Sequence, residues 1–449
     1  MGRGIIIIFL FAILQVSVFS QNLLTLEEAI KIGLENNYNI KISTNNTAIE
    51  HNNFSKGNAG FLPSINLNTS QSFTEQDVNQ EFLNGNIIER DGATSDVFNA
   101  NASLNWTIFD GSKMFVTYEK LRELENSSVV ELESVVETTI RDIGFAYFKI
   151  ILESNKLNVL DTSIQLSLER LDFAKSIYEV GKASKLEYMS AQVDYNADRS
   201  AFIRQRELLD NAKIDLNLLM SLDLDEDDYT FPNNIAVDTT LQLLKLERNA
   251  TTNNRQILTA QMNLSISTFE IKEITADRFP SFGLNLGYNY TNFNSQSGFL
   301  STNQTNGLTY GFSATWPIFN GFSVHRRFQN ARLTLNSNQL RIEQIKLQVN
   351  TNIRKAYINY RSNIELLALE QENYSVAKEN SEIALERYRL GNSNALELRE
   401  AQINAVEAAG RLIDASYNTK IAEINLMWQT GSLIKIENNT RTTNPFINR

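Results

Sequence analysis

Cysteine is absent from this chain. That excludes disulfides, thiol nucleophiles and thiolate metal sites, and with them a lipid anchor on an N-terminal cysteine. Histidine is nearly absent as well: His51 and His325 are the only two, and they sit in unrelated contexts. No serine–histidine pairing, glycine-rich phosphate loop or metal-ligand spacing is present, so no enzyme, metal or cofactor is expected. Paired acids such as Asp227-Asp228 lie in a polar stretch without apolar surroundings to raise a pKa. Positive charge is in deficit, with a formal net charge of −11, which argues against a nucleic-acid partner and suits a path that tolerates cations. Apolar runs long enough to span a bilayer as a helix are missing after residue 20. Proline and glycine are scarce, 5 and 19 in 449 residues, so most of the chain reads as uninterrupted helix.

What is present begins with a targeting segment. Arg3 supplies a positive charge, Ile5 to Leu14 an apolar core, and Val18 and Ser20 the small residues before a cleavage point at Gln21. Residues 1–20 are therefore expected to be a removed signal peptide.

The longest uninterrupted stretch follows Gly321. From Phe322 to Leu390 there is neither proline nor glycine, enough for a helix of roughly 100 Å at 1.5 Å per residue. Gly391 is placed to end it in the left-handed conformation, and Asn394 to cap a new helix with Glu397 at the capping-box position. That second helix carries a small-residue seam, Leu398, Ala401, Ala405, Ala408, Leu412, Ala415, Thr419, Ala422 and Leu426, which lets neighbouring helices approach closely. Two long antiparallel helices joined by a tight turn are predicted.

The arrangement occurs twice. Tyr178-Glu-Val-Gly181-Lys-Ala-Ser184-Lys-Leu-Glu187 matches Tyr388 to Glu397 at an offset of 210, as Trp106 to Gly111 matches Trp316 to Gly321. Phe61-Leu-Pro63-Ser64 matches Arg278-Phe-Pro280-Ser281, and Asn36-Asn37 matches Asn253-Asn254, at 217. Landmarks that keep their order indicate an internal duplication. The first long helix is expected from Ser112 to Val180 and its return from Lys182 to Ser221. Residues 21–222 then form the first repeat, 223–238 a solvated linker, 239–430 the second repeat and 431–449 a polar tail of disorder-like composition. The acids from Asp223 to Asp228 lack the glycine and the final glutamate of a calcium loop.

Between the helices the period changes. Thr25-Leu-Glu-Glu28 opens a helix expected to run to about Asn58. Then Ile65, Leu67 and Phe73 alternate with polar residues, and after a polar gap over about Thr74 to Ser95 so do Phe98, Ala100, Ala102, Leu104, Trp106 and Ile108. In the second copy Phe282, Leu284, Leu286 and Tyr288 alternate with Gly283, Asn285 and Gly287, and Leu308, Tyr310, Phe312, Ala314 and Trp316 with small polar residues. Strands of about ten residues, apolar to lipid and polar to lumen with aromatics at the rims, are those of a transmembrane barrel. Leu104, Trp106, Leu284, Leu286, Phe312 and Trp316 are the candidate lipid-facing side chains; a soluble two-hairpin sheet alternates similarly. Four strands cannot close a barrel in lipid, so several chains must share one, and three copies supply twelve strands.

These landmarks together resemble the TolC-like outer-membrane efflux protein family, over about residues 22–430, with Leu24 to Ile30 and Asn36-Asn37 similar to the family's opening and Arg387 to Glu397 to its turn. The resemblance implies a mainly α fold with a β-barrel portion. Duplicated long helical hairpins would form a trimeric α-barrel, and four strands per chain a shared twelve-stranded transmembrane β-barrel. It implies an exit duct in the outer membrane with a large periplasmic portion, a homotrimer working with a periplasmic adaptor and an inner-membrane pump. It also implies a pore narrowed at the helical turns, where Glu187, Glu397 and Glu400 occupy the family's acidic positions and Tyr388 its closed-state tyrosine. The basic residue common two positions after the turn glycine is Ser393 here. The turns Gly181, Lys182, Ala183, Ser184 and Gly391, Asn392, Ser393, Asn394 are where the family meets its adaptor. Capping alone also accounts for Glu187 and Glu397. A structural or adhesive coiled-coil envelope protein would explain the helices but not the strands between them.

Overall fold

The computed structural model describes residues 22–223 and 229–434. The expected signal peptide, the acidic run from residue 224 to 228 and the tail beyond residue 434 lie outside them. The elements are β1 (Asn22–Leu23), α1 (Leu26–Asn36), α2 (Tyr38–Asn53), β2 (Ser64–Glu81), β3 (Ile87–Asp110), α3 (Lys113–Glu179) and α4 (Lys185–Met220). They continue as β4 (Tyr229–Thr230), α5 (Leu243–Asn253), α6 (Arg255–Ala276), β5 (Ser281–Ser295), β6 (Thr302–Thr315), α7 (Ser323–Arg389) and α8 (Ala395–Gln429). The long helices α3 and α7 have 67 residues each, as expected where nothing in the sequence breaks them. Among the described residues no helix is long and apolar enough to cross a membrane.

The chain divides into two compact units, and both long helices contribute to each. One unit holds the sheet, with α2, α6 and the first parts of α3 and α7. Its four strands are antiparallel in the order β2-β3-β5-β6. The register sorts side chains by face, because successive residues point to opposite sides. One face carries the rows Ile65/Leu104/Leu286/Tyr310, Leu67/Ala102/Tyr288/Leu308 and Trp106/Leu284/Phe312. The other carries Asn66/Ser103/Gly287/Thr309, Asn68/Asn101/Asn289/Gly307 and Asn105/Asn285/Gly311. Amides and hydroxyls bond across strands on that face: Asn285 donates to Ser313 at 3.2 Å, Asn289 to Thr309 at 3.3 Å and Thr291 to Asn99 at 2.9 Å.

Three expectations need correction here. The polar stretch read as a gap is strand: β2 runs on to Glu81 and β3 starts at Ile87, paired through Glu81↔Ile87 with an irregularity between Gln76 and Val78. A hairpin ladder needs only its backbone partners, so it persists where alternation has stopped. Trp316 lies one residue beyond β6, since Pro317 offers no N–H to continue pairing. Its indole instead donates to the Arg278 carbonyl at 3.2 Å, matching Trp106, which donates to the Phe61 carbonyl at 2.9 Å. Finally, the opening helix is broken at Asn37 and ends at Asn53.

That break is repeated in the second half and has one cause. Asn37 (ψ 127°) and Asn254 (ψ 122°) leave the helical conformation. Each turns its amide onto the end of the return helix of its own half, Asn37 to the Leu219 carbonyl and Asn254 to the Gln429 carbonyl, both at 2.9 Å. Both are buried, where an unmet carbonyl would be costly. Just after these helices the chain turns left-handed: Ser221, directly after Met220, has φ 53°, and Gly431, shortly after Gln429, has φ 65°.

The other unit packs α1, the parallel pair β1–β4, α4, α5's preceding linker, α8 and the far parts of α3 and α7. Close helix contacts rest on missing side chains. A Cβ on Gly33 would lie 2.2 Å from Ile143, and one on Gly144 would meet Ile424 at 3.3 Å. Of the small-residue seam on α8, Leu398, Ala401, Ala408, Ala415, Thr419, Ala422 and Leu426 are buried. Thr419 is tied to α7 by donating its hydroxyl to the Asn363 carbonyl at 3.1 Å.

Candidate pore gate and docking turns

The two helical turns share one design. Gly181 (φ 77°) and Gly391 (φ 74°) take the left-handed conformation that only glycine adopts without strain. Backbone bonds from Lys182 to the Ile177 carbonyl and from Asn392 to the Arg387 carbonyl, both 2.9 Å, close the preceding helices. Ser184 then accepts the N–H of Glu187 at 3.2 Å, and Asn394 that of Glu397 at 2.9 Å, capping α4 and α8. Lys182, Ala183, Asn392 and Ser393 form the rest of the turns, with Lys182 and Asn392 exposed.

The acids do not complete the boxes. At Thr25, by contrast, Glu28 reaches back to the cap N–H at 3.0 Å, and both halves of the box are formed. Glu397 turns instead to Arg387, whose guanidinium donates to it at 2.6 Å and also reaches the Asn392 carbonyl at 3.4 Å. Glu187 and Glu400 are exposed. So Glu397 is charge-compensated within the chain, whereas Glu187 and Glu400 present carboxylates to whatever lies beside them.

Tyr388 is half-buried. Its ring meets Phe173 edge-on, with centroids 5.6 Å apart, and packs on the cluster of Ala384, Leu398 and Ala401. Burial raises its hydroxyl pKa, nearby Arg170 opposes that and Glu187 adds to it. Its counterpart Tyr178 stacks flat on Tyr188 instead, 5.9 Å and 7°. A cavity of about 210 Å³ lies beside Tyr388, bounded by Leu166, Arg170, Phe173, Leu398 and Gln402.

Beneath the turns lies a charge cluster that the sequence reading missed. Arg399 grips Asp198 with both terminal nitrogens, at 3.1 and 3.0 Å, and its Nε approaches Asp194 at 3.8 Å. Arg170 donates to Asp194 at 2.6 Å, and Ser163 to Asp198 at 3.3 Å. The cluster joins α3, α4 and α8. Arg170 is buried, which lowers its pKa while Asp194 works to restore it, and its Nε has no hydrogen-bond partner. One signal in the sequence was a pair of acids one helical turn apart on α4, Asp194 and Asp198, facing no base on their own helix.

Of the six strand residues proposed to meet lipid, Leu104, Trp106, Leu284, Leu286 and Phe312 share the apolar face, and Trp316 stands just past it. They belong to the sheet unit and the turns to the other.

The family description "Outer membrane efflux protein" matches residues 34–221 and again 246–432. The Outer membrane protein TolC of Escherichia coli (strain K12) is 20% identical over 359 residues, covering 77% of this chain and 71% of its own. The Proteases secretion protein PrtF of Dickeya chrysanthemi is 19% identical over 444 residues, 95% of this chain and 92% of its own. Among solved structures, the Campylobacter jejuni CmeC outer membrane channel aligns over 94% of this chain and 90% of its own, with a TM-score of 0.76 and 16% identity. The open state of the Neisseria gonorrhoeae MtrE outer membrane channel aligns over 90% and 88%, with a TM-score of 0.72 and 16% identity.

Proposed function

The chain belongs to the outer membrane efflux protein family, and from that membership we propose that it is an exit duct of the outer membrane, serving efflux or type I secretion. Members of this family are channels rather than enzymes. The observation that carries the reading is the sheet: one face apolar, the other amide and hydroxyl, with β2 and β6 left as open edges. Open edges are not tolerated in lipid. Edge β6 of one copy therefore pairs with edge β2 of the next, and three copies close twelve strands with the polar face inward. The segment before residue 21 serves as the export signal, and each half of the chain, 21–222 and 239–430, supplies one strand pair and one helical hairpin.

At the turns, Glu187 and Glu400 of three chains are the acids that ring the pore, with Glu397 held back by Arg387. Tyr388 supports the closed arrangement through its packing on Phe173. The turns themselves, Gly181 to Ser184 and Gly391 to Asn394, make six similar polar tips for a periplasmic adaptor that links the duct to an inner-membrane pump. Placing charge there, as in Ala183→Glu with Ala395→Glu, should abolish export while sparing assembly.

The deciding experiment is on the sheet. Mass measurement in detergent should give three chains, and Leu104→Arg or Leu286→Arg should block membrane insertion, at about 2–4 kcal/mol per chain near the bilayer midplane. A stable folded monomer, or an unchanged membrane yield of both variants, would remove the basis for the reading.

A further inference from the structure

The two halves differ where the long helices leave the sheet, and the difference leaves two cations without partners. In the first half Phe61, three residues before β2, packs edge-on against Phe115 and Tyr118 of α3, with ring centroids 5.0 and 6.1 Å away. One turn further on, Arg122 is paired with Glu119. The matching positions of the second half hold Arg278 for Phe61, Phe328 for Tyr118, Gln329 for Glu119 and Arg332 for Arg122. An aromatic wedge has become an arginine, and an acid has become an amide. Arg278 places its guanidinium 4.8 Å from the centre of the Phe328 ring, and Arg332 places its own at 5.8 Å. Both arginines are exposed. Among the described residues neither guanidinium has an ion pair or a hydrogen bond. Asp277, the neighbouring acid, is held by Lys113 at 3.0 Å and Arg327 at 2.8 Å.

Two guanidiniums on one ring repel each other unless an anion joins them. An arginine stacked on an aromatic face keeps its N–H fork free in its own plane, and such forks match the oxygens of a phosphate. The sheet sets the level of the pair. Trp316 follows directly on β6 and donates its indole N–H to the Arg278 carbonyl at 3.2 Å. Between Trp316 and α7 come Ile318, Phe319 and Phe322, which are 78%, 75% and 71% exposed. Phe328 lies about 9 Å past Phe322 at 1.5 Å per residue. Side chains on a helix tilt toward its N-terminus, which carries the Arg332 guanidinium back toward the sheet. Arg278 itself is three residues before Ser281, the start of β5. A bilayer's headgroup layer is about 5–8 Å deep on each side, so the pair stands at headgroup level and the exposed aromatics continue toward the acyl chains. Leu333, Leu340 and Leu347, exposed and seven residues apart, mark another side of α7 for a neighbouring copy, and Phe328 is turned to the end of α6 instead.

We propose that Arg278, Phe328 and Arg332 bind the phosphodiester headgroup of an anionic phospholipid, one per chain, in the leaflet beside the helices. The site rests on the duct reading, which puts the sheet in the bilayer. The first half has no counterpart, because Phe61 fills the place and Glu119 neutralises Arg122.

The test uses the full-length protein in neutral detergent, titrated with phosphatidylglycerol or phosphatidylcholine and followed by native mass spectrometry. Phosphatidylglycerol should bind at one per chain and at least tenfold more tightly than phosphatidylcholine. Arg278→Gln with Arg332→Gln should reduce that preference at least fivefold. Arg278→Phe, which copies the first half and keeps the junction packed, should reduce it as well, whereas Arg122→Gln should leave it unchanged. Equal binding of the two lipids, an unaltered preference in either Arg278 variant, or an equal loss in Arg122→Gln would overturn the proposal. So would displacement of the lipid by an equal concentration of glycerophosphoglycerol, which would mark a site for the soluble anion. Membrane yield separates this proposal from the reading it rests on. A wild type that inserts but shows no lipid preference overturns the headgroup site alone, and one that does not insert overturns the duct reading with it.

Discussion

Two arginines twelve residues apart should behave very differently when removed. Arg399 and Asp198 are 17% and 13% exposed at the side chain, and their contact is bidentate. Removing Arg399 leaves Asp198 buried with only the Ser163 hydroxyl at 3.3 Å, while Asp194 keeps Arg170 at 2.6 Å. Breaking one partner out of a buried pair costs about 3–5 kcal/mol. Part of that is returned, because Arg399 is close enough to Arg170 to disfavour its charge, so the lower end, about 3 kcal/mol, is the expected cost. Arg387 and Glu397, at 51% and 42% exposed, form a pair of the kind worth about 0–1 kcal/mol.

Hydrogen exchange of the α8 amides just after residue 399 reads the difference locally. Exchange through local opening follows the opening equilibrium. Arg399→Ala should therefore accelerate these amides by roughly 100-fold, since each tenfold corresponds to about 1.4 kcal/mol. Arg387→Ala should change them by no more than about fivefold. Arg399→Lys keeps the charge but not the fork, and should fall between. If Arg387→Ala matched Arg399→Ala, or if Arg399→Ala had less than a threefold effect, the burial argument would be wrong.

Three further outcomes are expected. In planar bilayers, trivalent-cation block from the turn side should be relieved by Glu400→Ala far more than by Glu397→Ala, because Arg387 already compensates Glu397; equal relief would refute this. Gly431→Ala should destabilise by about 2 kcal/mol or more, as its φ is 65° and a Cβ would lie 2.4 Å from the Asn253 carbonyl, whereas Ser221→Gly at the matching position should be neutral or stabilising by up to about 1 kcal/mol in melting experiments. Burial pushes the Glu137 carboxyl from 4.5 up to about 7, against the pull of Arg255 and with the push of Glu133. The folded state then holds a proton the unfolded chain has released, so stability should fall as pH rises from about 4.5 to 7, by on the order of 3 kcal/mol, and Glu137→Gln should flatten that slope in melting curves recorded between pH 4.5 and 8.

The helices and the strand faces were legible because each repeats a period over many residues. Gly391 and Gly181 were legible as stops because a left-handed residue after a long helix has few alternatives to glycine. What was not legible depended on a partner far along the chain. Asn37 and Asn254 could be matched as a pair, but not assigned to Leu219 and Gln429, whose carbonyls come from another helix. The extension of β2 and β3 past Thr74 has no side-chain signature, because only the backbone ladder holds it. The capping boxes at Glu187 and Glu397 were read from spacing alone. Spacing cannot show that Arg387 competes for one acid and that the other is turned outward.

The charge cluster beneath the turns was hidden for a reason that follows from the duplication itself. Positions that keep their identity at the offset of 210 report what each half does alone: the turn glycines, the tryptophans, and Glu187 with Glu397. Arg170, Asp194, Asp198 and Arg399 correspond instead to Asn380, Asn404, Ala408 and Met189. None of the four charges is repeated, and the strongest contact among them, Arg399 to Asp198, joins a residue of the second half to one of the first. A contact within one half can appear in both copies, as those of Asn37 and Asn254 do, although Arg170 to Asp194 is not repeated. A contact between the halves need not, since each copy supplies a different side of it. Loss of symmetry between otherwise matching helices is therefore itself a signal for where the halves meet, and the unmatched charges on α3, α4 and α8 are where it should have been sought.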